Sequence, residues 1–442
     1  MKVCFISLGC DKNLVDTEEM MGLLASKGIE LTTDEQDADI VCINTCSFIS
    51  DAKEESINTI MEMVNLKNEG VISGIIVCGC LAQRYLDEIT PLIPEVDAFV
   101  GTTAIEKIVD AVESIGKDHQ FISVADRDKA LVHDLPRVVT TGGHYAFLKI
   151  SEGCNKACTY CAIPFIRGRA RSFPIEELVK KAEYLVNDVG VKELILVAQE
   201  TTVYGVDLYG EKKLCALIKE LSKIEELKWI RLMYCYPEEI TDELIQTIKN
   251  NPKVCHYLDM PIQHASSKVL KAMGRRTTNS EIKKTIARLR KEIPDIVLRT
   301  TMMTGFPGET EEDHQILLKF IEKERIDRLG AFAYSKEDNT RAFSMKNQVN
   351  GNTKKRRLKE VMLTQQKVAF ELCKEKVGRT LEVLTEGYIP EDDIYVGRSY
   401  MDAPGVDGYV FYSCNYELKT GDMVKVQITS SNEYDLIGEV TE

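Results

Sequence analysis

Three apolar runs in the first eighty residues each close on a cysteine: KVCFISLGC on Cys10, ADIVCINTC on Cys46 and GIIVCGC on Cys80. The cysteines stand 36 and 34 residues apart, room enough for a helix between successive runs. Lys2 to Gly9, Ala38 to Thr45 and Val71 to Gly79 read as strands. One helix is expected where Asp16 precedes Glu19 by a capping-box spacing, ending at Gly28, and another over Asp51 to Leu66. Such alternation implies a parallel sheet with helices on its faces. The carboxyl edge of an open parallel sheet is where ligands bind, so neighbouring strands can bring the three thiols together there. Cys4, Cys42 and Cys78 fall inside the same strands and read as small buried hydrophobes.

After a turn-like connector, Pro136 to Gly143, strand candidates recur at Tyr145 to Ile150, Glu193 to Ala198, Trp229 to Tyr234, Cys255 to Met260, Ile296 to Met303 and Leu329 to Tyr334. Helical patterns separate them. Six βα repeats suggest a barrel or partial barrel with its active-site loops at the carboxyl ends of the strands. A charged helix, Lys354 to Lys376, leads out. Beyond Gly378 the period changes to short β-rich runs at Leu381 to Leu384, Ile394 to Arg398, Gly408 to Tyr412, Met423 to Thr429 and Leu436 to Val440, which suggests a small antiparallel barrel serving as a binding module. The expected organisation is α/β with three domains: 1–136, 137–372 including the connecting helix, and 378–442.

No apolar run suits a signal peptide or a membrane span, so a cytoplasmic protein without a membrane partner is expected. In such a compartment 14 cysteines point to metal or redox chemistry rather than disulfides. The net charge of −14 is uneven: Gly378 to Glu442 holds 13 acidic and 4 basic residues, a surface that repels phosphate backbones and suits a basic protein, unless it only aids solubility.

Cys154, Cys158 and Cys161 form C-x3-C-x2-C directly after the first strand of the second block. Three thiolates in one loop can hold three irons of a four-iron cluster and leave the fourth open to substrate. A zinc site would want a fourth Cys or His at matching spacing, and none follows nearby. Cys10, Cys46 and Cys80 make a second such site. Cys215, Cys235, Cys255, Cys373 and Cys414 read as structural.

With Tyr160 just before the last cysteine, this motif resembles the signature of the radical S-adenosylmethionine superfamily. The phrases SLGCDKNLVDTE, NTCSFI, CGCLAQRY, LKISEGCNKACTYC, LDMPIQHAS and TGFPGETEED resemble its methylthiotransferase family over essentially the whole chain. The resemblance implies an amino-terminal cluster domain, a radical barrel, here a partial (βα)6 barrel, and a terminal TRAM barrel. It further implies two 4Fe-4S clusters and S-adenosyl-L-methionine as cofactors. The barrel cluster would release a 5′-deoxyadenosyl radical, and the amino-terminal cluster would carry or deliver sulfur. Tyr160, Gln199 and Gln263 are its candidates for S-adenosylmethionine contacts.

Some members modify an adenosine of transfer RNA and others an aspartate of the twelfth small-subunit ribosomal protein. The wording of SLGCDKNLVDTE, IRGRARSFPIEE and AQETTVYGVDLYG, the acids Glu337 and Asp338 in a loop that tends to carry arginine in the RNA enzymes, and the acidic tail favour the basic ribosomal protein, with no direct nucleic-acid substrate. The alternatives are the transfer-RNA enzyme and a two-cluster electron-transfer protein. The reductant and the sulfur donor are not written in the sequence. Asn339 stands where that loop would carry glycine, a turn asparagine tolerates. His264 reads as ligand, proton donor or, preferably, structural hydrogen bonder, and Gly305 to Glu309 as a tight turn or a cofactor contact.

Overall fold

The computed structural model describes residues 1–441 and divides into two compact units. The first comprises Met1–Thr140, Lys149–Glu177 and Ser335–Phe343; the second comprises Thr141–Leu148, Leu178–Tyr334 and Ser344–Glu442.

The first unit is built on six strands, β1 (Lys2–Ser7), β2 (Glu30–Thr32), β3 (Ile40–Thr45), β4 (Gly74–Gly79), β5 (Ala98–Val100) and β6 (Phe121–Ser123). They form a wholly parallel sheet in the order β2-β1-β3-β4-β5-β6. Every residue of β3 and β4 is buried, as expected of a parallel sheet covered on both faces. On one face Ile60, Met63, Leu81 and Ile89 pack against Val41, Ile43, Ile75 and Val77; on the other Met20, Leu24, Ile108 and Val112 pack against Val3, Ile40, Ile76 and Val100. Cys4 joins the first core, Cys42 and Cys78 the second.

The chain runs from β1 outward to β2 and then returns to the other side of β1, so the order reverses between β1 and β3. That reversal opens a crevice at the carboxyl ends of β1 and β3, where doubly wound sheets take ligands. The three cysteine-ending strands are therefore β1, β3 and β4, direct neighbours, rather than the first three in the chain. The three-residue strands β2, β5 and β6 are too short to register as a period.

One helix start differs from expectation. Helix α1 spans Asp11–Ser26 with Cys10 as its N-cap, so Asp16 and Glu19 lie inside it. Asp16 is buried and faces Lys149 and Arg167 instead of capping. Helices α2 (Ser50–Asn68) and α3 (Cys80–Leu92) follow β3 and β4.

The second sheet has six strands, Tyr145–Lys149, Glu193–Val197, Trp229–Leu232, Val254–Asp259, Val297–Thr304 and Arg328–Ala333, each beside the next in chain order. From Glu193–Val197 onward the pairs are parallel, and the two end strands are not joined: the arrangement is an open, partial barrel. Strands Thr380–Ile389, Ile394–Ser399, Val410–Ser413, Met423–Ser431 and Leu436–Val440 close a small barrel. Four of its seams are antiparallel, and the fifth, Val410–Ser413 on Leu436–Val440, is parallel.

A buried charge cluster ties this small barrel to the sheet. Glu193 is fully buried and accepts from Arg231 at 2.6 Å and from Arg398 at 2.8 Å, while Arg398 also reaches Glu386 at 2.6 Å. Burial is the largest influence on the Glu193 carboxyl and raises it, but the two arginines together outweigh it and hold the carboxyl below its usual range. Replacing Glu193 with glutamine leaves the buried Arg231 without a carboxylate partner and Arg398 with Glu386 alone, and should cost about 3–5 kcal/mol, read as a lowered unfolding midpoint. The depressed folded-state value means that the contribution is complete above about pH 4.3 and is lost as the pH falls through the folded value. Equal stability of the variant and the parent at neutral pH would refute this assignment.

Candidate metal centres

All six cysteines of the two triads belong to the first unit. Parallel register sets Ser7 opposite Asn44 and Thr45 opposite Gly79, so Cys10, Cys46 and Cys80 emerge just beyond the same edge. Gly9 precedes the first of them at φ +93°, and a Cβ there would come within 2.8 Å of the Cys46 side chain. Gly79 precedes the third at φ +87°, where a Cβ would meet Asn44 Oδ1 at 2.2 Å. The backbone can approach this closely only without side chains. Cys10 is the N-cap of α1 and Cys80 opens α3, so both lie at positive helix ends that favour thiolates. Cys46 and Cys80 are buried and Cys10 is exposed, which leaves the site open on one side.

Asn13, on the first turn of α1, links the three loops. Its Nδ2 donates to Leu8 O and Thr45 O, both at 2.9 Å, and its Oδ1 lies 3.6 Å from Cys80 Sγ. Its place in the SLGCDKNLVDTE phrase is the only signal that the sequence offers for it.

Cys154, Cys158 and Cys161 follow strand Tyr145–Lys149 in a loop closed at its base by a two-residue antiparallel ladder, Glu152 opposite Arg171. Lys156 N donates to Cys154 Sγ at 3.4 Å, and Cys161 N to Cys158 O at 3.2 Å. Cys154 is buried, while Cys158 and Cys161 are half-buried.

The donor chemistry fits iron–sulfur clusters. Three thiolates on one tetrahedral zinc sit about 3.8 Å apart, from a Zn–S length of about 2.3 Å. Among the described residues the one group of three ligand atoms within 4.8 Å of one another is Glu311, His314 and Glu360, which Arg356 already bridges at 2.6 and 2.8 Å. Neither cysteine triad forms such a compact group, so neither presents the arrangement of a single zinc ion. Burial pushes the Cys80 thiol up to about 12 against the pull of Arg167, and raises Cys46 as well. Burial and then the neighbouring Cys158 raise Cys161. Deprotonating such thiols together needs the positive charge of a metal.

Comparison with known proteins agrees with this layout. Residues 2–101 match the family called Uncharacterized protein family UPF0004, residues 148–321 the Radical SAM superfamily, and residues 377–441 the TRAM domain. A ribosomal protein uS12 methylthiotransferase RimO of Lachnoclostridium phytofermentans is 56% identical over 438 residues, 99% of each chain. Its counterpart in Clostridioides difficile is 48% identical over 440 residues, 100% of this chain and 99% of the relative. The chain belongs to the RimO family of methylthiotransferases. In fold alone it is similar to the radical S-adenosylmethionine methyltransferase TsrM of Kitasatospora setae, with a TM-score of 0.54 at 14% identity over 75% of this chain and 74% of that one. It is likewise similar to OxsB, with a TM-score of 0.53 at 14% identity over 83% and 61%.

The acids that set this loop apart from its arginine-bearing counterpart in the RNA enzymes are engaged within the first unit. Glu337 is 2% exposed and accepts from Lys53 at 2.9 Å and Arg84 at 3.0 Å. Arg84 also donates to Ser47 O and Asp338 O, each at 2.8 Å, and Tyr85 donates to the Asp338 carboxylate at 3.3 Å. The same segment reaches the loop of Cys154, Cys158 and Cys161: Ala342 N donates to Thr159 O at 2.8 Å and Arg341 to Ala157 O at 2.7 Å. Asn339 keeps the turn at φ +64°. Ser335–Phe343 thus braces the elements that carry both triads and presents no open acidic patch at Glu337.

Of the candidates for S-adenosylmethionine contacts, Tyr160 is half-buried in the loop of Cys154, Cys158 and Cys161 in the first unit. Gln199 and Gln263 follow the strands Glu193–Val197 and Val254–Asp259 of the second. Gln263 holds a left-handed backbone at φ +75°, pinned by bonds to Thr301 O and from Met303 N, and its buried Oε1 has no partner among the described residues. Strain of this kind in a non-glycine residue collects at functional sites. Tyr234, at φ +60° after strand Trp229–Leu232, shares the trait and carries no mark in the sequence. Burial lowers His264 to about 3, and its Nδ1 accepts from Ser266 N at 2.9 Å, which leaves a neutral, structural imidazole. In the 305–309 turn the amides of Gly305 and Phe306 both donate to Glu309, so those donors are spent within the turn.

Proposed function

We propose that Cys154, Cys158 and Cys161 hold a radical-generating [4Fe–4S] cluster, that Cys10, Cys46 and Cys80 hold a second, sulfur-handling one, and that the enzyme methylthiolates the β-carbon of an aspartate in ribosomal protein uS12. The observation that carries this reading is the presence of two separate thiol triads in one unit of a chain that is 56% identical to a uS12 methylthiotransferase along its length. The clusters and S-adenosylmethionine supply, when bound, one-electron cleavage to a deoxyadenosyl radical, the inserted sulfur and the methyl group. A β C–H beside a carboxylate is too weak an acid for a side-chain base, which is why radical chemistry suits it.

The protein's own residues shape the site. Glycine-led loops bring the thiols to one edge, the helix ends and arginines favour their anionic form, and Ser335–Phe343 braces the two loops. Tyr160, Gln199 and Gln263 are the candidates for holding S-adenosylmethionine.

The basic substrate finds a partly acidic partner in the small barrel. Glu386, Asp402 and Asp407 are spent on Arg398, Arg328 and Arg299 of the second unit, but Glu391, Asp392, Asp393, Glu417 and Glu439 are exposed. Among the described residues no helix is long and apolar enough to cross a membrane.

The test offers uS12 and bulk transfer RNA in parallel to anaerobically reconstituted enzyme with S-adenosylmethionine, sulfide and reductant. A methylthio mass gain on the uS12 aspartate is expected. A gain confined to transfer-RNA adenosine would keep the chemistry and overturn the substrate.

A further inference from the structure

Arg167 is among the largest side chains buried in the protein, at 1% exposure. It caps the short helix Ile163–Ile166, six residues beyond Cys161, and its amide donates to Ile163 O at 2.8 Å. Its guanidinium divides its bonds by direction. Nη1 donates to Asp16 at 2.8 Å and to Glu152 at 2.9 Å. Nη2 donates to Asn13 Oδ1 and lies 3.6 Å from Cys80 Sγ.

Lys149 contacts the same two carboxylates, so Lys149, Arg167, Asp16 and Glu152 form a buried quartet with no net charge. Neutralising those acids accounts for Nη1. It does not account for Nη2, which carries no acid and is turned to the sulfur. Cys80 itself packs on Ala162 and Ile166, so the helix that follows the radical triad delivers a cation to the other triad.

We infer that Arg167 is a positioning residue of the amino-terminal cluster: its Nη2 donates to the Cys80 thiolate, fixes that ligand and raises the cluster's reduction potential. The inference rests on the assignment of Cys10, Cys46 and Cys80 as cluster ligands. Hydrogen bonds to ligand sulfurs and nearby positive charge favour the reduced, more negative state of a cluster and so move its potential upward. Lysine at 167 keeps the charge but, with one ammonium in place of a planar fork, cannot serve the acids and the sulfur along fixed directions.

The experiment uses the full chain with Cys154, Cys158 and Cys161 replaced by alanine, reconstituted with iron and sulfide, so that only the amino-terminal cluster gives a signal. Grown with ¹⁵N-arginine and reduced, it should show a ¹⁵N coupling to the cluster in pulsed EPR. Arg167→Lys on the same background should lose the coupling and titrate at a more negative potential with its iron retained. Absence of the coupling with Arg167 in place overturns the inference, and that measurement does not depend on how the variant folds. An unchanged potential in an iron-replete Arg167→Lys protein overturns it too. A background protein that binds no iron overturns the cluster assignment itself, and the inference with it, a failure distinguishable by metal content.

Discussion

Replacing Cys10, Cys46 and Cys80 together with alanine is expected to abolish methylthiolation of uS12 while deoxyadenosine release continues. The backbone contacts that shape these loops do not use the sulfurs: Leu14 N donates to Cys10 O at 3.1 Å, Cys46 N to Ser56 Oγ at 3.0 Å and Ser47 Oγ to Cys80 O at 3.0 Å. The scaffold therefore survives the loss of the thiols. Truncating buried side chains of this size costs roughly 1 kcal/mol each, well within what a folded chain tolerates. Product analysis by mass spectrometry, with deoxyadenosine measured in the same reaction, reads both outputs. Intact methylthiolation would refute the sulfur-handling assignment.

The matching replacement of Cys154, Cys158 and Cys161 is expected to stop both outputs, because sulfur insertion needs the radical whereas radical formation does not need the sulfur. Bound iron should fall to the amount of a single cluster, and the remaining cluster should keep its spectrum, since the edge made by β1, β3 and β4 is built without that loop. Continued deoxyadenosine release would sink the radical assignment. The two replacements thus give different patterns, and a general folding failure, which removes iron from both sites, resembles neither.

The parts of this site that could be read from the sequence are those encoded locally. Each triad is marked by short-range patterns, strands that close on a cysteine or a tight C-x3-C-x2-C loop, and such patterns survive without knowledge of the fold. Arg167 and Glu337 did not declare themselves because their partners lie far away in the chain: Arg167 meets Asp16 and Cys80, and Glu337 meets Lys53 and Arg84. A charged residue in a loop looks solvent-facing until its distant counter-ion is known, and the sequence alone did not show that Glu337 is buried between Lys53 and Arg84. Asp16 misled in the opposite sense. Its spacing to Glu19 fits a helix cap, yet the helix had begun a turn and a half earlier, and tertiary pairing with Lys149 and Arg167 decides its place. Part of the tail's acidity is likewise used inside the protein, since Asp402 and Asp407 are answered by Arg328 and Arg299 from strands read as part of another block.

The brace Ser335–Phe343 bears on the order of events during synthesis. The first unit is almost complete by Glu177, yet its last piece is translated about 160 residues later. At roughly 5–20 residues per second the nascent chain spends on the order of 10–30 s with both sets of thiols made but the clasp from Glu337 to Arg84 and Lys53 absent. During that interval Arg84 and Lys53 await their shared carboxylate, so the bonds that tie α2 and α3 to the loop of Cys154, Cys158 and Cys161 are the last in the first unit to form.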